Sequence, residues 1–406
     1  VWGVRESNNA IGGHADPSYK LLDPDLPARQ PQLSSEYFPG YGIVMRSGFP
    51  DPRELYLQIY AGGFSWGHGH NDRGCWVLYA MGAPLMVDFA AMYTPSMREA
   101  WLHSGGLTFN HDETIRRSFS DVADGWWRKS PSYRDLTVAP FTVLEQRPDP
   151  ESEREIDTFG EVTAFRSAPE ADYAAMQRRI RYLHRVPYAL AEPHGRDIFD
   201  DSPHEEVFLT NAIVWTRQYV MVKGGKDEGR QFLVVRDDLE GNTELDANLN
   251  LWCLADRIDV EGRTAFWTGQ HDVDLFAFVS EPRAFSPATR TLGHDCGFGF
   301  SENYRRKFGK PFREEMIMLR LPQKERGRGF FVVLMPVRRG EPRPVVEPLA
   351  DGRAVRVRFK DAFDIVLLQK NAEPVELQGR KMTARAALVR QTAGGQPLFR
   401  ELDTAP

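Results

Sequence analysis

Cysteine is scarce in this sequence of 406 residues, which contains only Cys75, Cys253 and Cys296. Three scattered cysteines form at most one disulfide bond, so a disulfide framework and a cysteine-rich metal site are both excluded. No uninterrupted apolar run approaches the roughly 20 residues that a membrane-spanning helix needs. The sequence begins at Val1 without a charged and then apolar leader, so we expect no signal peptide within it.

Net positive charge is also lacking, because the formal net charge is −6 at pH 7. A general nucleic-acid-binding protein is normally basic, so we expect no nucleic-acid partner. An acidic polysaccharide would be repelled by the overall charge and would require a local basic cleft. Hydrophobic residues make up 41% of the chain and aromatic residues 12%. This composition is ordinary for a globular protein, and the chain is long enough to bury a large core.

Long helical periodicity is absent, and short β-branched or aromatic runs alternate with Gly, Pro, Asp and Asn clusters. Strands are predicted at 41–46, 54–60, 179–185, 219–222, 231–236, 274–279, 315–321, 330–335, 354–359 and 364–368. Residues 75–80 are predicted to form a buried strand or a short helix, and residues 96–103 a short helix. The pair Asp237-Asp238 is predicted to be an acidic turn. The fold class is therefore mostly β, a large antiparallel β-sandwich.

Three segments are predicted along the chain. Residues 1–36 are rich in proline and polar side chains, which is typical of a linker or connecting segment. Residues 37–325 are expected to form the antiparallel β-sandwich that carries the candidate site. Residues 326–406 are expected to supply C-terminal strands, either in the same sandwich or in a small extra β-domain.

Two histidines separated by one residue, His68 and His70, lie in the run GHGHND at 67–72, between two predicted strands. In an extended backbone, residues i and i+2 point the same way, so both imidazoles would face one site. Asp88 follows an apolar run, and His111 lies farther along the chain. Two imidazole nitrogens and one carboxylate are a common zinc ligand set. His70, Asp88 and His111 are therefore candidate zinc ligands; the alternative is that each is a hydrogen-bonded structural residue.

Other side chains near the histidines are candidates for substrate binding. Arg73 and Arg116 are suited to bidentate contacts with carboxylates or sulfates, although Arg116 is equally compatible with a solvated strand end. Trp66 is suited to stacking on a sugar ring, although such tryptophans more often lie in a core. Asn71 adjoins His70 and is a candidate contact to the same substrate. Tyr93 is a candidate proton donor or a residue that caps a loop.

The sequence around these residues resembles a known family. The runs GHGHND at 67–72, VLYAMGAPLMVD at 77–88 and NHDET at 110–114 resemble the heparinase II/III-like polysaccharide lyases, which include heparin/heparan lyases and alginate lyases. The common pattern is H-x-H-x-D, an apolar run with a Gly-x-Pro turn and Val-Asp, and then a later histidine block. That block has His-Asp-Glu-Thr here where the family has His-Asn-Thr. The close match is confined to residues 67–114.

The resemblance implies a lyase that cleaves uronic-acid-containing glycans, either alginate or heparin/heparan-type glycosaminoglycans, by β-elimination. It implies that His68 is catalytic and that His70, Asp88 and His111 bind one zinc ion. Zinc would then be mainly structural and would hold the loop that presents His68. Tyr93 is the candidate catalytic tyrosine within this chain.

In the family, an N-terminal α/α-toroid precedes the β-sandwich and supplies a catalytic tyrosine. No toroid-like helical region is visible here, so we expect this chain to be the C-terminal part of a larger enzyme or one product of a cut in it. The expected partners are an acidic polysaccharide, the toroid domain or fragment of the same enzyme, and a second copy in a homodimer. The expected localisation is secreted or periplasmic.

Two alternatives to a lyase stay open from the sequence. The first is a non-catalytic β-sandwich that only binds acidic carbohydrates. The second is a cupin-like small-molecule metalloenzyme, since cupins also carry an H-x-H motif on a strand. It ranks lower because no glutamate follows His70 at the spacing that cupins use.

Overall fold

In the computed structural model the described residues are 32–62, 72–87, 103–109, 142–143, 160–185, 205–224, 230–241, 245–293, 315–325 and 328–404. Contacts divide the chain into Val1–Ser34 and Ser35–Pro406, and the account below concerns the second unit. Its described residues form β-strands, turns and one 3-10 turn at Ala350–Gly352, without an α-helix. Among the described residues, no helix is long and apolar enough to cross a membrane.

The first sheet is an antiparallel meander in which each strand pairs with the next along the chain. Its strands are β1 (Glu36–Phe38), β2 (Gly42–Arg46), β3 (Leu55–Tyr60), β4 (Trp76–Ala80) and β5 (Ala83–Met86). β3 alternates buried and half-buried residues along its length. Such alternation is what a strand with one face on a core requires.

The second sheet is the largest and contains 12 strands. These are β6 (Gly106–Phe109), β7 (Thr142–Val143), β8 (Glu161–Ser167), β9 (Ala171–Arg185), β10 (Glu205–Val222), β11 (Phe232–Glu240), β12 (Ala247–Glu261), β13 (Thr264–Gly269), β14 (Val273–Glu281), β15 (Ala288–Gly293), β16 (Glu315–Gln323) and β17 (Phe331–Arg338). The order is β15-β16-β12-β13-β14-β17-β11-β10-β9-β7, with β6 paired to β12 and β8 to β9.

The C-terminal strands form a third sheet and a hairpin. The sheet contains β18 (Val345–Leu349), β19 (Ala354–Phe359), β20 (Ala362–Leu368), β23 (Ala386–Gln391) and β24 (Leu398–Asp403). The hairpin consists of β21 (Pro374–Leu377) and β22 (Arg380–Thr383). Its apolar side chains, among them Val375 and Leu377, pack with Ile365 and Leu367 of the third sheet.

The second sheet is buried on both faces, which makes the core a three-layer arrangement. Tyr219 and Met221 of β10 pack with the first sheet, whereas Val220 and Val222, on the other face, pack with the third sheet. β11 and β17 divide their side chains between the same two cores. Strands with two buried faces have continuous apolar sequences, and burying each large apolar side chain contributes about 1.5–3 kcal/mol.

The prediction of a mostly β, antiparallel sandwich is confirmed. Each predicted strand overlaps one of β2, β3, β9, β10, β11, β14, β16, β17, β19 and β20, and 75–80 contains the buried strand β4. β9 and β10 contain 15 and 18 residues and are much longer than predicted. The prediction of a turn at Asp237-Asp238 is wrong, because both residues lie inside β11. The predicted helix at 96–103 lies outside the described residues except for His103.

Candidate functional site

Most of the predicted site residues lie outside the described residues. These are Trp66, His68, His70, Asn71, Asp88, Tyr93, His111 and Arg116. Their roles stay predictions. These residues belong to three segments, 63–71, 88–102 and 110–141. The described residues that flank the segments show which strands lead into each one and which contacts hold those strands.

The histidine segment, residues 63–71, connects β3 to β4. On its N-terminal side the amide of Tyr60 donates to the carbonyl of Cys75 at 3.0 Å, and the amide of Gly74 donates to the carbonyl of Tyr60 at 2.6 Å. Arg73 is only 8% exposed, and its Nε donates to the carbonyl of Gly62 at 2.9 Å. Arg73 therefore joins the two ends of the histidine segment. Its predicted contact with substrate stays a prediction.

Asp88 follows β5, which runs antiparallel to β4 and returns to the same end of the first sheet. The register pairs Met86 with Leu78, and the indole Nε1 of Trp76 lies 3.4 Å from the Met86 sulfur. Since Trp76 is the first residue of β4 after the histidine segment, β5 ends beside the strand that the histidine segment enters.

The strand that precedes His111 is β6, and it is joined to the same place. The amide of Trp76 donates to the carbonyl of Ser104 at 2.9 Å, and the amide of Gly105 donates to the carbonyl of Asn250 at 2.8 Å. The Asn250 side chain donates to the carbonyl of Gly106 at 2.9 Å, and Nε of Arg320 donates to its oxygen at 2.8 Å. The described flanks of all three segments are therefore connected through Trp76.

A buried arginine joins two of these flanks directly. Nη1 of Arg217, on β10, donates to the carbonyls of Gly74 and Gly105, at 2.6 Å each. Gly74 follows the histidine segment, and Gly105 precedes β6. The hydroxyl of Tyr219, two residues along the same face, also donates to the Gly74 carbonyl at 2.9 Å. One guanidinium thus holds together the described backbone next to two of these segments.

Asp237 of β11 neutralises this arginine from the adjacent strand. The register places Arg217 opposite Asp237, and the carboxylate accepts from Nε at 2.6 Å and from Nη2 at 2.7 Å. Nε1 of Trp215 donates to the same carboxylate at 2.6 Å. Burial acts to lower the pKa of Arg217, but the nearby Asp237 carboxylate outweighs it, so the pKa is raised and the guanidinium stays charged.

Aromatic rings enclose the Arg217 guanidinium. Its central carbon lies 4.9 Å from the Trp76 ring centroid and 4.6 Å from that of Trp215, and Trp76 meets Tyr219 edge-on at 5.9 Å. We call Arg217, Asp237, Trp215, Tyr219 and Trp76 the arginine cluster. The sequence analysis missed this cluster. Trp215, Arg217 and Tyr219 occupy every second position of β10 and therefore lie on one face of the strand. An arginine between two aromatic residues at this spacing was the signal in the sequence.

Arg217 binds the carbonyls of two glycines, Gly74 and Gly105. Substitution of either glycine by another residue is unfavourable. Gly74 has φ +86° and Gly105 has φ +85°, a region that side chains strongly disfavour. A Cβ on Gly74 would lie 2.5 Å from the Trp215 ring, and one on Gly105 would overlap the Trp76 ring. Both glycines allow the backbone to approach the arginine cluster closely.

Zinc is suited to the predicted donor set of two imidazoles and one carboxylate. The chain residues that would hold it are His70, Asp88 and His111. Within the described ranges there is no group of three His, Cys, Asp or Glu side chains that could hold a metal ion. Cys75 and Cys253 are buried, and burial raises the pKa of the Cys253 thiol. The zinc site therefore stays a prediction for the segments next to the arginine cluster.

Solved structures share this fold. The crystal structure of heparan sulfate lyase HepC from Pedobacter heparinus matches 93% of this chain with a TM-score of 0.50 and 11% sequence identity. A heparinase III gene product matches 92% of the chain with a TM-score of 0.50 and 12% identity. The fold is heparinase-like. The resemblance predicted from the motif is thus confirmed at the level of the fold.

The chain spans less than half of these structures, covering 44% of HepC and 43% of the heparinase III gene product. That share fits the β-sandwich part of a heparinase-like chain. No family model matches the sequence, and no curated protein matches it.

Proposed function

We propose that this chain is the β-sandwich part of a polysaccharide lyase that cleaves uronic-acid-containing glycans by β-elimination. The observation that carries the proposal is the arginine cluster within a heparinase-like fold. Arg217 ties Gly74 to Gly105, and these glycines flank the segments that carry the H-x-H motif and the later histidine. A rigid base is what a catalytic loop requires, since small displacements of reacting groups greatly reduce the rate.

The chemistry of β-elimination explains the residue types in the motif. The C5 proton of a uronic acid is weakly acidic, so hydrogen-bond donors or cations must first neutralise the adjacent carboxylate. Asn71, Arg73 and Arg116 are proposed for this role. A base then removes the C5 proton, and an acid protonates the departing glycosidic oxygen. His68 and Tyr93 are proposed for these proton transfers, because an imidazole exchanges protons near neutral pH. Trp66 is proposed to stack on a sugar ring.

Zinc is proposed to be structural in this site. Bound by His70, Asp88 and His111, it would supply a fixed crosslink between the three segments. His68 then keeps a free imidazole for proton transfer. A ligand histidine and a catalytic histidine one residue apart would thus have separate roles.

The remaining parts of the enzyme are proposed from the coverage of the matched structures. An N-terminal α/α-toroid would complete the active-site cleft and bind the rest of the polysaccharide. The substrate would be alginate or a heparin/heparan-type glycosaminoglycan, and the enzyme would act outside the cytoplasm, in the periplasm or after secretion. A homodimer is a further proposed assembly.

The test uses the full-length protein and a panel of alginate, heparan-type and uronate-free polysaccharides. Cleavage by β-elimination creates an unsaturated uronate, which is followed by its ultraviolet absorbance. We expect absorbance to rise only with uronic-acid polymers. Binding to these polymers without any absorbance change would instead support a non-catalytic carbohydrate-binding domain. Turnover of a small neutral substrate with metal dependence would support a cupin-like enzyme.

A further inference from the structure

A cavity of about 1070 Å³ lies where parts of all three sheets meet. Its walls come from the turn before β3, the β4–β5 turn, the end of β17, the segment 339–344 and the β19–β20 turn. We call it the crossing cavity, because residues 339–344 cross there from the second sheet to the third. Ligand pockets for single small molecules typically measure about 300–1,000 Å³, so this cavity is large enough for more than one sugar ring.

The crossing cavity is separate from the proposed catalytic site. Arg53 precedes β3, and Met81 lies in the turn after β4, and both line the cavity. The histidine segment leaves β3 at the other end, after Tyr60. β3 contains six residues and is therefore about 17 Å long. The cavity therefore lies at the end of β3 opposite to the end that leads into the histidine segment.

Cations predominate around the crossing cavity. Arg338, Arg343 and Lys360 line it, and no carboxylate among the described residues lies within ion-pair distance of any of them. Arg53 and Arg358 also line it but are paired, with Asp51 at 2.8 Å and Glu347 at 2.7 Å.

Glu341 is the one acidic residue among the described lining residues. Among the described residues, these three cations without an ion-pair partner face one carboxylate, which leaves a locally positive site on a protein whose net charge is −6. Such local reversal of charge attracts an anionic ligand.

Arg338 and Arg339 are neighbours in the sequence but differ in their ion pairs. Arg339 donates to Asp272 at 3.0 Å and to Asp274 at 3.1 Å, so its charge is already neutralised. Arg338 is the last residue of β17, is exposed, and lines the cavity. Arg339 is thus held by two carboxylates, whereas Arg338 has no ion-pair partner among the described residues.

The walls between the cations are apolar. Met335, Val345 and Phe359 line the cavity, and Val345 is 62% exposed. The faces of sugar rings carry C–H groups, which pack on apolar surfaces, while their carboxylates or sulfates bind cations. A strongly hydrated inorganic anion would gain nothing from these apolar walls.

The crossing segment is stiff, which favours binding. Pro342 and Pro344 flank Arg343, and proline restricts its own backbone and that of the residue before it. The Arg343 guanidinium lies 3.7 Å from the Phe266 ring centroid. This cation is therefore held in position before a ligand arrives, which reduces the entropy lost on binding.

We propose that the crossing cavity is a second carbohydrate-binding site that holds a segment of acidic polysaccharide away from the catalytic histidine. The ligand's carboxylates or sulfates bind Arg338, Arg343 and Lys360, and its ring faces pack on Met335 and Val345. The choice of ligand rests on the proposed function. Holding one part of a polymer raises the effective concentration of the rest at the catalytic site.

The test measures binding of three size-defined probes to the full-length protein by calorimetry: an unsulfated oligouronate, a sulfated heparan-type oligosaccharide and polyphosphate. The cavity variant combines Arg338→Ser, Arg343→Ser and Lys360→Ser. The control variant combines Lys324→Ser, Arg380→Ser and Lys381→Ser, which are exposed and change the net charge equally. Arg380 also lies over an aromatic ring, that of Phe399, so it matches Arg343.

We expect the cavity variant to bind at least one of the two glycans about tenfold more weakly or worse, with the control variant close to the parent. Comparison of the sulfated oligosaccharide with the unsulfated oligouronate shows whether the cations bind sulfates or carboxylates. Unchanged glycan affinity in the cavity variant would overturn the proposal. An equal loss in the control variant would do so too, because the effect would then be one of overall charge. If polyphosphate binds the parent as tightly as the glycans do, and the cavity variant loses this binding equally, the cavity is a general anion site and not a carbohydrate site.

Kinetics separate this inference from the proposed lyase activity. If the enzyme cleaves a glycan, the cavity variant should raise KM for the polymer and leave kcat unchanged. Cleavage with an unchanged KM would reject the second site and keep the lyase. Loss of glycan binding in the cavity variant of a protein that cleaves nothing would keep the binding site and reject the lyase.

Discussion

The Asp237 carboxylate accepts hydrogen bonds from Nε and Nη2 of Arg217 at 2.6 and 2.7 Å, and both side chains are fully buried. The remaining guanidinium nitrogen, Nη1, is thereby directed at the carbonyls of Gly74 and Gly105. An ion pair between two neighbouring strands of the second sheet thus fixes backbone that belongs to the first sheet and to β6.

Removing either partner of this pair should destabilise the fold severely. Asp237→Asn leaves the buried guanidinium without a counter-charge, and we expect a loss of about 3–5 kcal/mol in the free energy of unfolding. Arg217→Met removes the donors to Gly74 and Gly105 and should cost a similar amount. Urea unfolding followed by tryptophan fluorescence measures both losses.

An exposed ion pair provides the matched control. Arg257 and Asp259 lie 3.6 Å apart and are 69% and 56% exposed, so Asp259→Asn should change stability by less than about 1 kcal/mol. In the double variant Arg217→Met/Asp237→Asn, the loss should be clearly less than the sum of the losses of the two single variants. Additive losses would show that the two side chains stabilise the fold independently.

Alanine should be tolerated far less at Gly105 than at Gly82. Both glycines have positive φ, +85° and +78°, so each substitution carries a backbone cost of about 1 kcal/mol. A Cβ on Gly105 would also overlap the Trp76 ring, whereas one on Gly82 meets nothing within 4 Å. Thermal unfolding should show a much larger fall in Tm for Gly105→Ala. Equal falls would mean that the Trp76 ring moves aside without cost.

The stability of the protein should depend on Tyr219 above pH 10. Burial raises the pKa of this phenol in the folded state, whereas an unfolded tyrosine titrates near about 10. Tyr219 therefore contributes its stabilisation below pH 10 and loses it as the pH rises further. Below pH 10, Tyr219→Phe should be less stable than the parent by about 1 kcal/mol, because the bond to Gly74 is lost.

Above pH 10 the parent should lose up to about 1.4 kcal/mol per pH unit relative to Tyr219→Phe. The two stability curves should therefore converge and cross when urea unfolding is measured between pH 8 and 11. Parallel curves over that interval would show that Tyr219 ionises as readily in the folded protein as in the unfolded chain.

The proposed roles of the two motif histidines give different outcomes for alanine variants. His68→Ala should retain zinc and Tm but lower turnover in the full-length enzyme by about a hundredfold or more. His70→Ala and His111→Ala should lose zinc, with a fall in Tm. Elemental analysis, thermal unfolding and the unsaturated-uronate absorbance measure these effects. Retention of zinc by His70→Ala together with its loss from His68→Ala would exchange the two roles.

The strands were predictable because their pattern is local. Leu55, Leu57 and Ile59 alternate with half-buried residues in β3, and a period of two residues is legible without any knowledge of neighbouring strands. The apolar runs at 219–222 and 231–236 likewise predicted strands, which lie in β10 and β11. What the sequence did not show is which sheet each face meets, since that depends on pairing between distant segments.

The arginine cluster shows most clearly what could not be predicted from the sequence. Asp237 and Asp238 are adjacent acids, a pattern that favours a turn, yet they point to opposite faces of β11. Asp237 meets Arg217 in the core, and Asp238 binds Arg236 at 3.1 Å near the surface. The register that pairs Arg217 with Asp237 is a tertiary property of β10 and β11. The motif histidines were found by their spacing, whereas the residues that brace their flanks had no motif.

Arg73 closes the ends of the histidine segment by binding the Gly62 carbonyl, and this has an evolutionary consequence. A loop that is closed at its base can change length cheaply, because doubling it costs only about 0.6 kcal/mol of chain entropy. Insertions within residues 63–71 that keep His68 and His70 should therefore cost the scaffold little stability. On the proposed function, the positions around the two motif histidines are therefore the natural ones to diversify in a library that selects for new glycan preferences while the scaffold is held constant.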